Sequence, residues 1–386
     1  MSTATEVEPS TPQGGRVLKN SLTAGQLPSW ARWASIGGSL VLSAIILLIA
    51  GWSWAGWIVL AAVLYLISYT VWTYVVEGAR HGQDALWSSL VWLAFLVALV
   101  PLVSIIWTVI SVGGPTLVHP GFLTSSMDGI TGVQDRATMN EGAPLAGGIV
   151  HALVGSLMIT LMATIISVPI GLLTSIWLVE YAHGGWFSRT IVFLVDVMTG
   201  IPSIVAGLFA AGIMMTFFEW GNGGVSGGQQ IMGFTAALAL SVLMIPVVVR
   251  ATEEMLRVVP NELREASYAL GIRKWRTIFR VVIPTAISGI TSGVTLAIAR
   301  VVGETAPILV TAGVASSVNW NLFNGWMMTL PVYIYRQLME PTAPASPDPS
   351  TARAWGAALM LIIVVMLLNL LARLIAARFS PKTSGR

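Results

Sequence analysis

Between two long apolar runs, residues 261–286 read NELREASYALGIRKWRTIFRVVIPTA. This stretch carries two acids and five bases, although the runs on both sides are long enough to cross a membrane. Asn261 predicts a helix N-cap, and Gly271 predicts the left-handed residue that ends the same helix. A second short helix follows, and Pro284 predicts the start of the next span. The pattern therefore predicts two short helices lying at the membrane surface.

The composition places most of the chain in a membrane. Its 386 residues are 55% hydrophobic and 10% charged, whereas a soluble domain is about 25% charged. Cysteine is absent, which excludes disulfides and thiolate chemistry. The sequence shows no basic face interleaved with aromatic residues, which argues against nucleic-acid binding. We predict an all-α polytopic membrane protein with about eight transmembrane helices, because each apolar run is near the ~20 residues that a bilayer requires. The runs are 33–52, 55–76, 87–112, 148–179, 190–218, 231–250, 285–313 and 354–378.

Positive charges set the predicted orientation, because Lys and Arg collect on the cytoplasmic side of membrane proteins. With the N-terminus inside, most of the 20 Lys and Arg residues fall in cytoplasmic segments. The predicted organisation is a disordered cytoplasmic N-terminus at 1–30, transmembrane helices 1–3 in 31–112, an extracytoplasmic loop at 113–147, a core of transmembrane helices 4–8 in 148–378 with a cytoplasmic loop at 251–284, and a cytoplasmic tail at 379–386.

The opening stretch also carries a spaced motif: Glu-Ala-Ser, a Gly after three residues, and Val-x-Ile-Pro after nine more. This motif resembles the EAA loop of ABC importer permeases. The resemblance implies that the loop is a coupling helix seated in a cleft of a cytoplasmic ATPase subunit. Without the resemblance, an interfacial helix held by anionic lipid explains the composition equally well. The residues assigned to ATPase coupling are Glu265, Ala266, Ser267, Gly271 and Pro284.

Further stretches resemble the phosphate-transporting branch of that family, over roughly residues 145–378. They are TGIPSIVAGLF at 199–209, IPVVVRATEEMLRVVP at 245–260 and ARVVGETAPILVTA at 299–312. The resemblance implies a type I ABC importer permease core, with two additional N-terminal helices whose role it leaves open. It also implies a bacterial inner-membrane location and three kinds of partner: a PstC-like permease in a heterodimer, a PstB-like ATPase dimer and a PstS-like phosphate-binding protein.

The chain itself lacks an ATP-hydrolysing motif. The three lysines, at 19, 274 and 382, do not follow a glycine, so no phosphate-binding loop of the G-x-x-x-x-G-K-[ST] type is present. We therefore expect a non-catalytic permease that binds no cofactor itself, while a separate ATPase uses ATP and Mg.

Arg300 is an ionisable residue inside a predicted span. A charged side chain in hydrocarbon costs at least ~2.5–3.5 kcal/mol and therefore marks a candidate site. Arg300 falls about fifteen residues into the seventh span, and Glu304 follows one helical turn later on the same face. Arginine binds two phosphate oxygens at once, and a carboxylate accepts the hydroxyl of hydrogen phosphate, which sulfate lacks. We predict that both residues line the substrate pathway; the alternative is a self-neutralising structural ion pair.

Arg250 and Glu253 form a second pair, three residues apart near the cytoplasmic end of the sixth span. The resemblance implies that they belong to the charged set tied to phosphate passage. Their position also suits the pathway exit, the coupling joint or the positive-inside bias. Asp196, in the fifth span, has no partner nearby in sequence and is predicted to cap, or to hydrogen-bond to, a neighbouring helix. The four histidines are too scattered for a zinc site.

Prolines fall inside four core spans, at 169, 202, 246 and 307. Broken helices in membranes occur mainly where they line a cavity or pack on protein. Four prolines in consecutive spans, together with the resemblance, predict the translocation core.

Three other functions remain open from the residues alone. A permease for another oxyanion, such as sulfate or molybdate, satisfies the EAA motif. An intramembrane enzyme would need a nucleophile, base or metal constellation in the bilayer, and no His, Cys or Lys lies deep in a span. A scaffold or sensor would explain the additional N-terminal helices.

Overall fold

The structure, a computed structural model, describes residues 27–182, 184–221 and 231–379, and every regular element in these ranges is helical. Most of the N-terminal segment predicted to be disordered, and the tail from residue 380, lie outside these ranges. Two π-helical turns, Trp177–Tyr181 and Ile278–Val282, extend or join α-helices. The α-helices are α1 Ala31–Ala50, α2 Trp54–Glu77, α3 Ala79–Leu117, α4 Gly132–Asn140, α5 Val150–Ile176, α6 Trp186–Thr199, α7 Ser203–Gly221, α8 Gly233–Val258, α9 Asn261–Ala269, α10 Lys274–Thr277, α11 Ile283–Val302, α12 Ala306–Thr311, α13 Leu330–Met339 and α14 Asp348–Phe379.

Seven of the described helical segments are long and apolar enough to cross a membrane, and a bent pair raises the number to as many as eight. This confirms the prediction of a multi-pass, all-α membrane protein. The bent pair is α6 and α7, which turn by 113° at their break, where the sequence predicted a single span at 190–218. Pro202 lies at this break. A proline interrupts a helix because it has no backbone N–H to continue the helical hydrogen bonds.

The seventh span differs from the predicted 285–313. Helical structure runs without interruption from Lys274 to Val302, so Pro284 lies inside the segment instead of starting it. The π-helical turn before Pro284 places this proline in the first turn of α11, where a missing N–H is tolerated. The chain then breaks at residues 303–305, and α12 begins as a separate helix with Pro307 in its first turn.

The prolines of the other two core spans leave their helices intact. Pro169 lies inside α5 and Pro246 lies inside α8. Of the four prolines predicted to mark broken helices, therefore, only Pro202 and Pro307 lie at a break.

The described helices belong to two compact units, Met1–Ile105 and Ile106–Arg386, whose boundary falls within α3. In the first unit, α1 and α2 form an antiparallel pair in which the Trp57 indole donates a hydrogen bond to the Leu40 carbonyl, at 3.0 Å. Most of the large apolar side chains on these two helices point outward. Such surfaces suit contact with lipid or with other membrane helices.

The second unit is organised around the packing of α5 against α8. Small residues bring the two backbones together: a Cβ at Gly171 would lie 2.6 Å from a methyl carbon of Val248. Ser175 donates a hydrogen bond at 2.9 Å to the Val249 carbonyl across the same contact. The core continues onto α11, α12, α14 and the segment before α13, through residues such as Met327. This packing fixes the positions from which the charged residues of α8 project.

Candidate functional site

Four charged residues meet on the second half of α8. Arg250 forms one ion pair with Asp196 of α6 and another with Glu253, at 3.0 Å. Glu253 also accepts from Arg257, at 2.6 Å. The Glu253 side chain is only 8% exposed, whereas the other three side chains of the cluster are more exposed. Two carboxylates and two guanidinium groups therefore neutralise each other where α6 packs on α8.

This cluster changes the interpretation of Arg250 and Glu253. The structure confirms that Asp196 hydrogen-bonds to a neighbouring helix, and its partner is Arg250, 54 residues later in the chain. Because Arg250 already has two carboxylate partners, an anion that approaches it competes with Asp196 and Glu253 for its positive charge. The geometry is that of a neutralised charge cluster and not of a free anion site.

Arg300 lies in a different environment from the predicted one. The helix ends at Val302, only two residues later, so Arg300 is at the end of a helix and not in its middle. Glu304 follows this end, where the chain no longer continues the helical face. The Arg300 side chain is exposed and forms no ion pair or hydrogen bond with the residues that the structure describes. The structural ion pair between Arg300 and Glu304, which was the alternative to a pathway role, is therefore absent from this arrangement.

The segment between α8 and α11, residues 259–282, is here called the connecting segment. It contains α9, a turn and α10, as the sequence predicted, and Gly271 has the predicted positive φ of 73° in the turn. Asn261 is the first residue of α9 instead of its cap, which is Pro260. The hydroxyls of Ser267 and Thr277 are 2.8 Å apart and hold α9 against α10.

The exposed side of α9 carries most of the residues predicted to couple to an ATPase. Glu265 and Ala266 are exposed, and the apolar side chain of Leu270 beyond them is 80% exposed. Ser267, in contrast, is buried against Thr277, so it stabilises the bend of the segment and presents no surface for docking. Pro284 is partly buried at the start of α11, away from this exposed face.

Sequence reasoning missed two long-range ion pairs. In one, Glu180 after α5 accepts hydrogen bonds from Arg264 of α9. In the other, Arg353 of α14 forms a bidentate pair with Asp135 of α4, with both N–O distances 2.7 Å and both side chains fully buried. The partners are separated by 84 and 218 residues, so no local pattern could have paired them.

The described part of the chain contains no group of three or more His, Asp or Glu side chains that could hold a metal ion. His151, the histidine at the start of α5, is buried with its ring edge-on to Tyr333, at a centroid distance of 5.3 Å. This position fits a packing role.

Several known transport proteins are similar to this chain. The profile of a family described as "Binding-protein-dependent transport system inner membrane component" matches residues 167–385. The phosphate transport system permease protein PstA 1 of Mycobacterium tuberculosis is 45% identical over 77% of this chain and 89% of that protein. PstA of Mycobacterium leprae is 46% identical over 72% and 83%, respectively. Among solved structures, an inward-facing MetNI methionine ABC transporter is 21% identical, with a TM-score of 0.47, over 60% of this chain and 96% of that chain.

The family profile covers more than half of the chain, and the two mycobacterial relatives are matched over most of their length. Both relatives are named as PstA permeases. This chain therefore belongs to the family of binding-protein-dependent transport system inner membrane components, alongside the PstA permeases.

Proposed function

We propose that the chain is the permease subunit of an ATP-driven importer of inorganic phosphate and forms half of its translocation pathway. As a family member it is a non-catalytic membrane component, which works with an ATPase and a binding protein. The relatives named as phosphate permeases support phosphate as the substrate. The finer partners are a PstC-like permease, a PstB-like ATPase dimer that uses ATP and Mg, and a PstS-like phosphate-binding protein. The distribution of basic residues supports an inner-membrane location with both termini in the cytoplasm.

The observation that carries the pathway role is the unpaired guanidinium of Arg300. An arginine at the end of an apolar helix needs water, an anion or a partner protein to solvate its charge. No described residue of this chain pairs with Arg300. Its side chain is exposed, so its five N–H donors are available to a phosphate that passes along this face. Glu304, just beyond the end of α11, would accept the hydroxyl of hydrogen phosphate.

The Arg250 cluster plays a second part in this proposal. Because Asp196 and Glu253 neutralise Arg250, a phosphate that reaches it would compete with these carboxylates for its positive charge. The α6–α8 contact would then open when phosphate arrives and close again after it leaves. Arg250 and Glu253 are therefore proposed as a gate in the pathway, whereas Arg300 is the primary contact for the anion.

Reconstitution tests the substrate assignment. The chain is placed in liposomes with the three partners, and uptake and ATP hydrolysis are measured with binding protein loaded with phosphate or with sulfate. We expect phosphate, and not sulfate, to be imported and to stimulate the ATPase. Preferential import of sulfate or molybdate would assign the chain to another oxyanion.

Variants of Arg300 test the pathway contact. Arg300→Lys keeps the charge but loses the planar fork, so we expect phosphate uptake to fall about tenfold or more, which corresponds to the loss of ~1.4 kcal/mol of binding. Arg300→Gln combined with Glu304→Gln removes both charges without leaving an unmatched acid. Near-normal uptake by this double variant, at normal membrane abundance, would contradict the pathway role.

A further inference from the structure

Arg264 of α9 makes an unusually complete set of hydrogen bonds. Its Nε and Nη2 donate to the same carboxylate oxygen of Glu180, at 3.1 and 2.8 Å. The remaining bonds of Nη1 and Nη2 go to the backbone carbonyls of Val259 and Leu256, at 2.6 and 2.9 Å, and to the side-chain oxygen of Asn261, at 3.3 Å. A guanidinium has five N–H donors, and here each has an acceptor. A lysine at this position could not make all five hydrogen bonds, because it has only three donors and they lie on one nitrogen.

The partners of Arg264 belong to three different elements. Glu180 lies in the π-helical turn that ends α5, Leu256 and Val259 lie at the C-terminal end of α8, and Asn261 starts α9. The Glu180 and Arg264 side chains are 4% and 12% exposed. Removing one partner of a buried ion pair is costly, because the other charge is left without compensation. One side chain of the connecting segment thus holds the ends of both central helices; this arrangement is here called the Arg264 junction.

Neighbouring contacts reinforce the Arg264 junction. The Lys274 ammonium of α10 lies over the Tyr181 ring, at 5.0 Å from its centroid. Tyr268 of α9 lies close to the same carboxylate: burial, and then the charge of Glu180, raise the pKa of its phenol. Both short helices of the connecting segment therefore contact the end of α5.

The Arg264 junction also lies close to the charge cluster of α8. The Leu256 carbonyl, which accepts from Arg264, is three residues after Glu253. Deeper in the core, the hydrogen bond from Ser175 to the Val249 carbonyl joins α5 to α8 again. Helix α9 is therefore attached to two helices that are packed together, α5 and α8. One of them, α8, carries Arg250 and Glu253.

We propose that Arg264 and Glu180 are positioning residues that convert movement of the connecting segment into movement of α5 and α8. The inference rests on the proposed function, because a docked ATPase supplies the movement. Neither residue touches the transported anion. Their role is to keep α9 rigidly attached, so that displacement of the docking surface is not lost in a flexible loop.

The first test measures coupling in the reconstituted transporter. For Arg264→Lys we expect normal co-purification with the ATPase and normal hydrolysis, but about a tenfold decrease in anions imported per ATP, within the range of typical coupling between sites. Arg273→Lys is the matched control, because Arg273 is an exposed arginine of the same segment whose side chain has no hydrogen bond or ion pair among the described residues. We expect this control to import as many anions per ATP as the parent. A normal ratio in assembled Arg264→Lys would overturn the proposal.

Glu180→Gln gives a second reading if the lysine variant fails to assemble. The amide keeps an acceptor oxygen but loses the charge, so we expect a smaller decrease in the same ratio. An assembled Glu180→Gln variant with the parental ratio would also overturn the proposal.

The second test requires neither an ATPase nor a substrate. Because the chain has no cysteine, spin labels can be attached through Leu173→Cys on α5 and Leu270→Cys after α9, two exposed positions. We expect a narrow distance distribution between the labels in the parent and a broader one in Arg264→Lys. Equal widths would overturn the proposal even if the importer carries another anion. Failure of phosphate uptake in the wild type, with the expected broadening, would contradict only the proposed substrate.

Discussion

At the scale of single residues, Gly155 shows how closely the core of the second unit is packed. The side-chain oxygen of the next residue, Ser156, accepts a hydrogen bond at 2.7 Å from the backbone N–H of Leu330. This bond holds α5 against the start of α13. A Cβ added at Gly155 would overlap the Met328 carbonyl oxygen and lie 2.9 Å from the Met327 side chain. The carbonyl is part of the backbone, so it cannot rotate away as a flexible side chain would.

We expect Gly155→Ala to lower the free energy of unfolding by about 1–3 kcal/mol, as overpacking of a core does. Gly212→Ala is the control, because Gly212 also lies in an apolar helix but has no atom within 4 Å of its added Cβ. The control should be neutral or stabilising by up to ~1 kcal/mol, since alanine is the better helix former. Thermal unfolding in detergent measures both. Equal midpoints for the two variants would contradict the close approach.

At the scale of elements, the connecting segment separates two tasks between its faces. The inner face is occupied by Arg264, Ser267 and Thr277, which hold the segment to the core and to itself. The outer face presents Ala266 and Leu270, and an apolar surface of this kind suits a groove in a partner protein. The motif identified in the sequence therefore contains residues with different roles, although they are adjacent in the chain.

Ala266→Asp tests the docking of this outer face. A new charge buried in a contact should break it, because the carboxylate would lose water without gaining a partner. We expect reduced ATPase co-purification, or hydrolysis without uptake. Ala266→Ser is the control, because it adds a single oxygen and should dock normally. An aspartate variant that assembles and transports like the parent would be evidence against docking through α9.

The sequence predicted elements better than it predicted their ends. Helix α9 and the glycine turn follow from local signals, namely Asn261 at the start of the helix and Gly271 after its end. The position of Arg300 was predicted wrongly because the span was taken to continue to residue 313. The structure instead ends α11 at Val302 and begins α12 at Ala306, with Pro307 in its first turn. The Arg264–Glu180 contact could not be predicted, since it depends on how α5 and α9 come together in three dimensions.

At the scale of the whole molecule, the two units differ in how they match known proteins. The family profile begins at residue 167, inside the second unit. The helices α1 and α2, in contrast, pack on each other with most of their large apolar side chains facing outward. Membrane helices can associate as separately stable units. We therefore predict that transport does not depend on α1 and α2.

A chain that begins at Ala79, the first residue of α3, should insert and support phosphate uptake. Removing two spans leaves the new N-terminus on the same side of the membrane, so the orientation of the remaining helices is preserved. A chain that begins at Leu27 is the control, because it removes only the residues before α1. Uptake and membrane abundance are measured together for both chains. Loss of uptake from an assembled Ala79 chain would show that α1 and α2 contribute more than an anchor.

The buried pair of Asp135 and Arg353 has a consequence for the order in which the molecule is made. Translation produces Asp135 first, and 218 residues separate it from the arginine that compensates its charge. Until α14 has been synthesised, the carboxylate of α4 must remain hydrated, because burial without a partner would be strongly unfavourable. The part of the protein around α4 can therefore close only after α14 has been synthesised. A single ion pair in this way sets the order in which this part of the protein can be assembled.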